Sequence, residues 1–126
     1  MTRVVATLIL PCEDNDRRPL TEVHAALKRE LCRVFGGFTC VPCYGGWMDD
    51  GKYYEDRSFE YRVAMENTED TNDVWHSIAL RYGQRARQLA VYLTYPRASQ
   101  VPVIADLSDH YGSERLTEVL DELEAA

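Results

Sequence analysis

The residues best suited to do chemistry in this sequence lie between positions 45 and 56. Residues 45–49 read Gly-Gly-Trp-Met-Asp, and two tyrosines and three further acidic residues follow them before position 57. The indole of Trp47 could stack on a planar ligand or hold a cation such as a sulfonium over its face. The carboxylate of Asp49 could pair with that cation or act as a general base. The predicted site therefore consists of Gly45, Gly46 and Trp47 as ligand-binding residues and Asp49 as the catalytic residue.

The same residues allow a second interpretation. Glycine is favoured where the backbone turns sharply, so Gly45 and Gly46 are expected to form a corner that opens a loop over residues 45–56. Alternatively, these residues form an acidic hairpin, with a tight turn at the Asp-Asp-Gly of residues 49–51 and with Trp47 capping the core. The sequence leaves both interpretations open.

A second candidate segment is Tyr-Gly-Gln at residues 82–84. Gly83 is expected to cap the C-terminus of a helix, which would leave Gln84 between that helix and the following strand. The amide of Gln84 could then make paired hydrogen bonds to a ligand. Tyr82 and Gln84 are therefore added to the predicted ligand-binding residues.

Four cysteines raise the question of a metal or redox site. Cys40 and Cys43 have CxxC spacing, but they lie in an apparent strand, where alternation sends them to opposite faces. The chain has no second CxxC, and its three histidines have no ligand-like spacing. Packing thiols are therefore favoured over a metal site or a redox pair, and we predict neither a metal nor a cofactor.

The charge balance limits the possible partners. The chain has 14 basic and 21 acidic residues and a formal net charge of −7, a surface that repels phosphate backbones. Direct nucleic-acid binding is therefore not expected, whereas docking on a basic host protein stays open. No run approaches the roughly 20 apolar residues of a membrane span, and residues 4–10 are interpreted as a strand and not as a signal peptide. A cytoplasmic location is expected, in the host if the protein is phage-encoded.

The periodicity of apolar residues predicts the order β-α-β-β-α-β. Strands are predicted near residues 4–10, 38–44, 57–65 and 89–95, and helices between Pro19 and Gly36 and between residues 74 and 83. This order is typical of an α+β ferredoxin-like fold, with a four-stranded antiparallel sheet and two helices on one face. Residues 1–96 form the predicted domain. A loop and an acidic C-terminal helix follow over residues 97–126, packed on the domain or on an oligomer partner.

Three short motifs resemble a group of small phage-borne and bacterial proteins. They are Gly-Gly-x-Thr at residues 36–39, Gly-x-Trp at residues 45–47 and Gly-Gln at residues 83–84. In layout the chain is also similar to the phage S-adenosylmethionine lyases, ferredoxin-like trimers that remove the methyl donor of host restriction systems. The Gly-x-aromatic-x-Glu segment of the lyases would fall on residues 45–49, and their glutamine before the last strand would fall on Gln84.

The resemblance implies a phage-type accessory protein with an anti-restriction, counter-defence role. It implies a homo-oligomer, with a trimer favoured, that binds a small nucleoside-like ligand at a subunit boundary. Asp49 stands where the lyases carry a catalytic glutamate, and a carboxylate one methylene shorter could cost on the order of a hundredfold in rate. The alternative is a non-enzymatic inhibitor whose acidic surface and C-terminal helix bind a host protein.

Overall fold

The computed structural model describes residues 3–88, 90–94 and 102–106. Their elements are, in order, β1 (Arg3–Pro11), α1 (Thr21–Phe35), β2 (Thr39–Asp49), β3 (Lys52–Glu66), α2 (Glu69–Arg85), β4 (Ala90–Thr94) and β5 (Pro102–Asp106). The sheet has the order β2-β3-β1-β4-β5, and each neighbouring pair is antiparallel. The first four strands and the two helices form the predicted βαββαβ arrangement, so the α+β, ferredoxin-like class is confirmed.

Both helices pack on one face of the sheet and form a single core. In β1 the side chains of Ala6, Leu8 and Leu10 are fully buried, whereas that of Val5, on the other face, is exposed. The buried side chains join those of Leu27 in α1 and Trp75 in α2 in one cluster. Neither of the described helices is long and apolar enough to cross a membrane.

A buried ion pair connects the two helices. Glu30 of α1 pairs with Arg81 of α2, and both side chains are almost wholly buried. The hydroxyl of Tyr82 donates a hydrogen bond to Oε2 of Glu30, and Arg33 lies 3.7 Å from Oε1 of the same carboxylate. Two charges removed from water in this way require partners of this kind, because an unpaired buried charge is very costly.

The prediction of a loop after β4 is wrong for residues 102–105. These residues belong to β5, which pairs with β4 and extends the sheet by a fifth strand. The segment contains adjacent β-branched residues, and its proline is the first residue of the strand, a position where proline is tolerated. The rest of the predicted acidic C-terminal segment, residues 107–126, lies outside the described residues.

Candidate ligand-binding cleft

Residues 45–56 form a continuous antiparallel ribbon. The pairing of β2 with β3 extends to Asp49 opposite Lys52, and the strands are joined by a two-residue turn. Asp50 and Gly51 take φ values of 50° and 76°, the left-handed conformation at both positions that a type I′ turn requires. The predicted corner at Gly45 and the loop over residues 45–56 are therefore wrong, and the turn of the alternative hairpin interpretation is correct.

Trp47 lies on one side of this ribbon and does not cap the core. Its side chain is 46% exposed, and it faces Tyr54 across the strands with ring centroids 4.5 Å apart and planes inclined by 16°. The indole Nε1 donates a hydrogen bond of 2.7 Å to Oδ2 of Asp56. Tyr54 therefore covers one face of the indole, and Asp56 accepts a hydrogen bond from its edge.

The two glycines of the ribbon have different surroundings. A Cβ at Gly45, which is paired with Asp56, would meet nothing within 4 Å. A Cβ at Gly46 would lie 2.5 Å from the hydroxyl oxygen of Tyr53, whose ring crosses over this position. Gly46 is therefore needed for the close approach of Tyr53, whereas Gly45 leaves open space beside Trp47.

The loop between β1 and α1 faces the ribbon and is held by its own backbone. Oδ1 of the buried Asp14 accepts hydrogen bonds of 2.9 Å from the amides of Asp16 and Arg18. The amide of Asp14 donates to the carbonyl of Arg18, and Arg17 takes a φ of 61° within this tight turn. Side chains of Asx type favour such turns because they accept backbone amides locally.

His24 connects this loop to the core. Its Nε2 lies 2.7 Å from the carbonyl oxygen of Pro11, which requires a proton on Nε2, so Nδ1 accepts the hydrogen bond of 2.5 Å from the hydroxyl of Tyr61. Burial lowers the pKa of His24, and the positive charge of Lys28 lowers it further, against the opposing effect of the Pro11 carbonyl. The neutral ring thus fixes the end of β1, where the loop begins.

We expect the stability of the protein to fall as the pH falls below about 6.5, the usual pKa of an unfolded histidine. The pKa of His24 is lower in the folded chain, so the unfolded chain takes up this proton first, and stability is lost until the folded pKa is passed. The contribution is at most about 1.4 kcal/mol per pH unit. Urea unfolding at several pH values should give a steeper loss in the wild type than in His24→Gln; equal slopes would contradict this expectation.

The ribbon and the loop enclose a cleft of about 400 Å³. Trp47 and Asp49 both line it, so two of the predicted site residues share one cavity. The remaining lining residues are Pro11, Glu13, Asp14, Asn15, Arg17, Tyr54, Glu55, Asp56, Arg57 and Gln88. The cleft therefore combines a stacked aromatic pair with carboxylates and two arginines.

Tyr82 lies far from solvent. Its side chain is 2% exposed in the core, and its hydroxyl is bonded to Glu30. We therefore assign Tyr82 to the core and leave it out of the proposed site, although its helical spacing was equally consistent with either place.

The second helix ends one turn later than predicted. Gly83 is buried inside α2, and Arg87 takes the left-handed C-terminal position with a φ of 56°. The amide of Gln88 donates to the carbonyl of Gly83, and that of Arg87 donates to the carbonyl of Gln84, which is the pattern of a Schellman motif. The extra turn buries Ala86, and this gain outweighs the preference of glycine for the cap.

This later helix end changes which glutamine reaches the cleft. Gln84 lies half-buried in the last turn of α2, whereas Gln88 lines the cleft. Sequence reasoning missed Gln88 because it predicts that the helix ends at Gly83, which places Gln84 in the connection to the next strand. The sequence does contain a signal: Gln84 and Gln88 are four residues apart, so a helix that continues past Gly83 to Arg85 leaves Gln88, and not Gln84, beyond its end.

Two of the four cysteines line a second groove beside the ribbon. This groove of about 720 Å³ is lined in part by Cys12 and Cys43, and burial raises the pKa of both thiols. Both are therefore neutral at pH 7 and poor nucleophiles. Within the described residues no three His, Cys, Asp or Glu side chains are placed to hold a metal ion.

Comparison with solved structures finds the same fold in phage proteins. A phage SAM lyase in complex with S-methyl-5′-thioadenosine has a TM-score of 0.64 and 11% sequence identity, over 82% of this chain and 89% of that chain. The same TM-score and coverage are found for a phage SAM lyase in the apo state, at 12% identity. The divalent cation tolerance protein CutA1 from Thermus thermophilus has a TM-score of 0.44 and 16% identity, over 94% and 95% of the two chains.

At these identities the likeness establishes the fold alone. No protein-family model matches the chain, and no curated protein matches its sequence. The relationship that the three short motifs suggest therefore stays a prediction.

Proposed function

We propose that this protein binds a small nucleoside-like metabolite of the S-adenosylmethionine type in the cleft beside Trp47, and that it cleaves this ligand as a lyase. The observation that carries the proposal is the placement of Trp47 and Asp49 in one cleft, with the indole held flat against Tyr54. A fixed indole face suits an adenine ring or a sulfonium, and a carboxylate beside it suits a positive charge. The likeness of the fold to a phage SAM lyase supports the same ligand class.

The proposed reaction requires one general base and a group that orients the substrate. In an elimination, Asp49 would accept a proton from the carbon of the amino-acid chain that neighbours its sulfur-bonded carbon. The electron pair of that carbon–hydrogen bond would form a carbon–carbon double bond, and the pair of the broken carbon–sulfur bond would remain on sulfur. The sulfonium becomes the neutral thioether S-methyl-5′-thioadenosine, and an unsaturated amino acid leaves. Trp47 would orient the substrate, and Gln88 is better placed than Gln84 to anchor it, because Gln88 lines the cleft.

The test is incubation of the purified protein with S-adenosylmethionine, followed by mass spectrometry of the substrate and of S-methyl-5′-thioadenosine. Consumption of the first with formation of the second is expected. Binding is measured separately by thermal unfolding, where a ligand at 100 times its dissociation constant stabilises a protein by about 2.7 kcal/mol. Stabilisation without turnover would reject the lyase and keep the binding protein; the absence of both would reject the proposal.

The biological role that we propose is counter-defence by a phage-type accessory protein in the host cytoplasm. Removal of the methyl donor would deprive host restriction systems of S-adenosylmethionine. The acidic surface is consistent with a role that involves no direct contact with nucleic acid.

We further propose that the protein is a homo-oligomer, with a trimer favoured. Tyr44, Met48 and Tyr53 are exposed on the side of the ribbon opposite Trp47, and a patch of this kind is typical of a protein interface. Light scattering of the purified protein measures the mass directly. A monomer would contradict this proposal. The alternative, a non-enzymatic inhibitor that binds a host protein through its acidic surface and C-terminal helix, is tested by a pull-down with and without residues 107–126.

A further inference from the structure

We infer that Asp56 is a positioning residue, which together with Tyr54 fixes the indole of Trp47 in one orientation as the ligand-facing wall of the cleft. The inference rests on the proposed function for the identity of the ligand. The fixing of the indole itself is a property of the free protein and can be measured without any ligand.

The register of the ribbon puts these three side chains on the same side. Trp47 is paired with Tyr54, and Asp56 follows two positions further along β3, where alternation returns a strand to the same face. The residue opposite Asp56 is Gly45, at which a side chain would find open space. The indole can therefore reach diagonally across Gly45 to the carboxylate, at an Nε1–Oδ2 distance of 2.7 Å.

The hydrogen bond to Asp56 restricts the rotation of the Trp47 side chain, which its packing alone would not restrict because the side chain is about half exposed. An aromatic side chain that is about half exposed on a two-stranded ribbon can change rotamer, and its ordering on binding would weaken the affinity for a ligand. Stacking on Tyr54 restricts the tilt of the ring, and the hydrogen bond to a charged acceptor fixes its rotation. The Trp47 side chain therefore loses its conformational freedom when the protein folds, and ligand binding does not have to order it.

The geometry also determines what Trp47 offers a ligand. Its N–H is engaged by Asp56 and one of its faces is covered by Tyr54. What remains is the second face, which recognises flat or cationic groups and makes no directional hydrogen bond. We therefore assign ligand polarity to other residues of the cleft, such as Gln88.

Two substitutions of Asp56 separate the hydrogen bond from the charge. Asp56→Asn keeps an acceptor oxygen and removes the charge, whereas Asp56→Ala removes both. Glu60→Gln is the matched control, because it removes one negative charge from the same strand outside the cleft. Unfolding midpoints of all variants confirm that each is folded before it is compared.

The first readout is the fluorescence anisotropy of Trp47 in the free protein, obtained by subtracting the signal of Trp47→Phe from that of its parent. We expect Asp56→Ala to lower the anisotropy, and Asp56→Asn and Glu60→Gln to leave it near that of the wild type. An unchanged anisotropy in Asp56→Ala would overturn the inference.

The second readout is the dissociation constant for S-adenosylmethionine and for S-methyl-5′-thioadenosine. We expect Asp56→Ala to weaken binding about three- to tenfold, the cost of ordering one side chain, and Asp56→Asn to bind as the wild type does. Equal weakening in both variants, with Glu60→Gln unaffected, would show that the charge acts on the ligand directly and would overturn the positioning role. If the wild type binds neither compound, the proposed function fails, and the anisotropy still decides whether Asp56 fixes the indole.

Discussion

Replacing Glu30 by alanine is expected to lower the free energy of unfolding by about 3–5 kcal/mol, the range found when one partner of a buried ion pair is removed. The substitution leaves the guanidinium of Arg81 in the core without its carboxylate, and it also deprives the hydroxyl of Tyr82 of its acceptor. A domain of this size has about 5–15 kcal/mol of stability in total, so the loss would be a large part of it. Urea unfolding measures the change.

Two further variants determine the cause of the loss. Glu22→Ala removes the same charge from an exposed position of α1 and should cost no more than about 1 kcal/mol. The triple variant Glu30→Leu, Arg81→Met and Tyr82→Phe replaces the pair and the hydroxyl bonded to it by apolar groups. It should recover most of the loss, because buried ion pairs are seldom better than good apolar packing. If Glu30→Ala costs no more than Glu22→Ala, the ion pair is not a determinant of the fold.

The fold could be predicted from the sequence because its elements are strongly periodic. Alternation in β3 predicts one apolar face, made of Phe59, Tyr61, Val63 and Met65; Phe59 is partly buried and the other three are buried. Gly36 was correctly predicted to end α1, since it takes a φ of 88° as the left-handed cap. These features depend on local chemistry that a single sequence displays.

The errors lie where contacts distant in sequence outweigh local preference. A Gly-Gly pair predicts a corner, yet Gly45 and Gly46 remain in a strand because eleven cross-strand pairs hold β2 against β3. Gly83 predicts a helix stop, yet the burial of Ala86 extends the helix. The hydrogen bond from Trp47 to Asp56 could not be foreseen, since it depends on the register of the two strands.

Of the residues that line the cleft, sequence reasoning named Trp47 and Asp49 and missed those of the opposite wall. Residues 11–18 have the polar composition of an ordinary connecting loop, and nothing in that composition distinguishes Glu13, Asn15 and Arg17, which line the cleft. No local pattern indicates that this loop faces the ribbon. The antiparallel pairing of β1 with β3 brings them to the same end of the sheet.

Substitution of Asp49 by asparagine is expected to lower the turnover of S-adenosylmethionine by at least about a hundredfold, because a general base contributes on the order of 10²–10⁴ to a rate. Asp49 is the acidic residue of the ribbon that the resemblance aligns with a catalytic glutamate, and it lines the cleft together with Trp47. Mass spectrometry of substrate and product over time measures the rate.

The neighbouring residue provides a matched control. Asp50→Asn removes the same charge one position away, in the turn, and asparagine tolerates the left-handed φ of 50° found there. Its turnover should stay within a few-fold of the wild type, since Asp50 is outside the set of residues that line the cleft. An equal loss in both variants would mean that the charge of the ribbon tip is what matters, and Asp49 would not be the base.

The variant Asp49→Glu distinguishes a weak lyase from a protein that only binds. Glutamate extends the carboxylate by one methylene, and a shift of about an ångström in a reacting group can change a rate about a hundredfold. If Asp49 is the base and stands too far from its proton, Asp49→Glu should raise the turnover while the dissociation constant changes little.

If neither the wild type nor Asp49→Glu turns over S-adenosylmethionine, the carboxylate does not act as a base. If S-adenosylmethionine still stabilises the protein against unfolding, the site is a binding site, in which Asp49 pairs with the charge of the ligand and Asp49→Asn weakens binding.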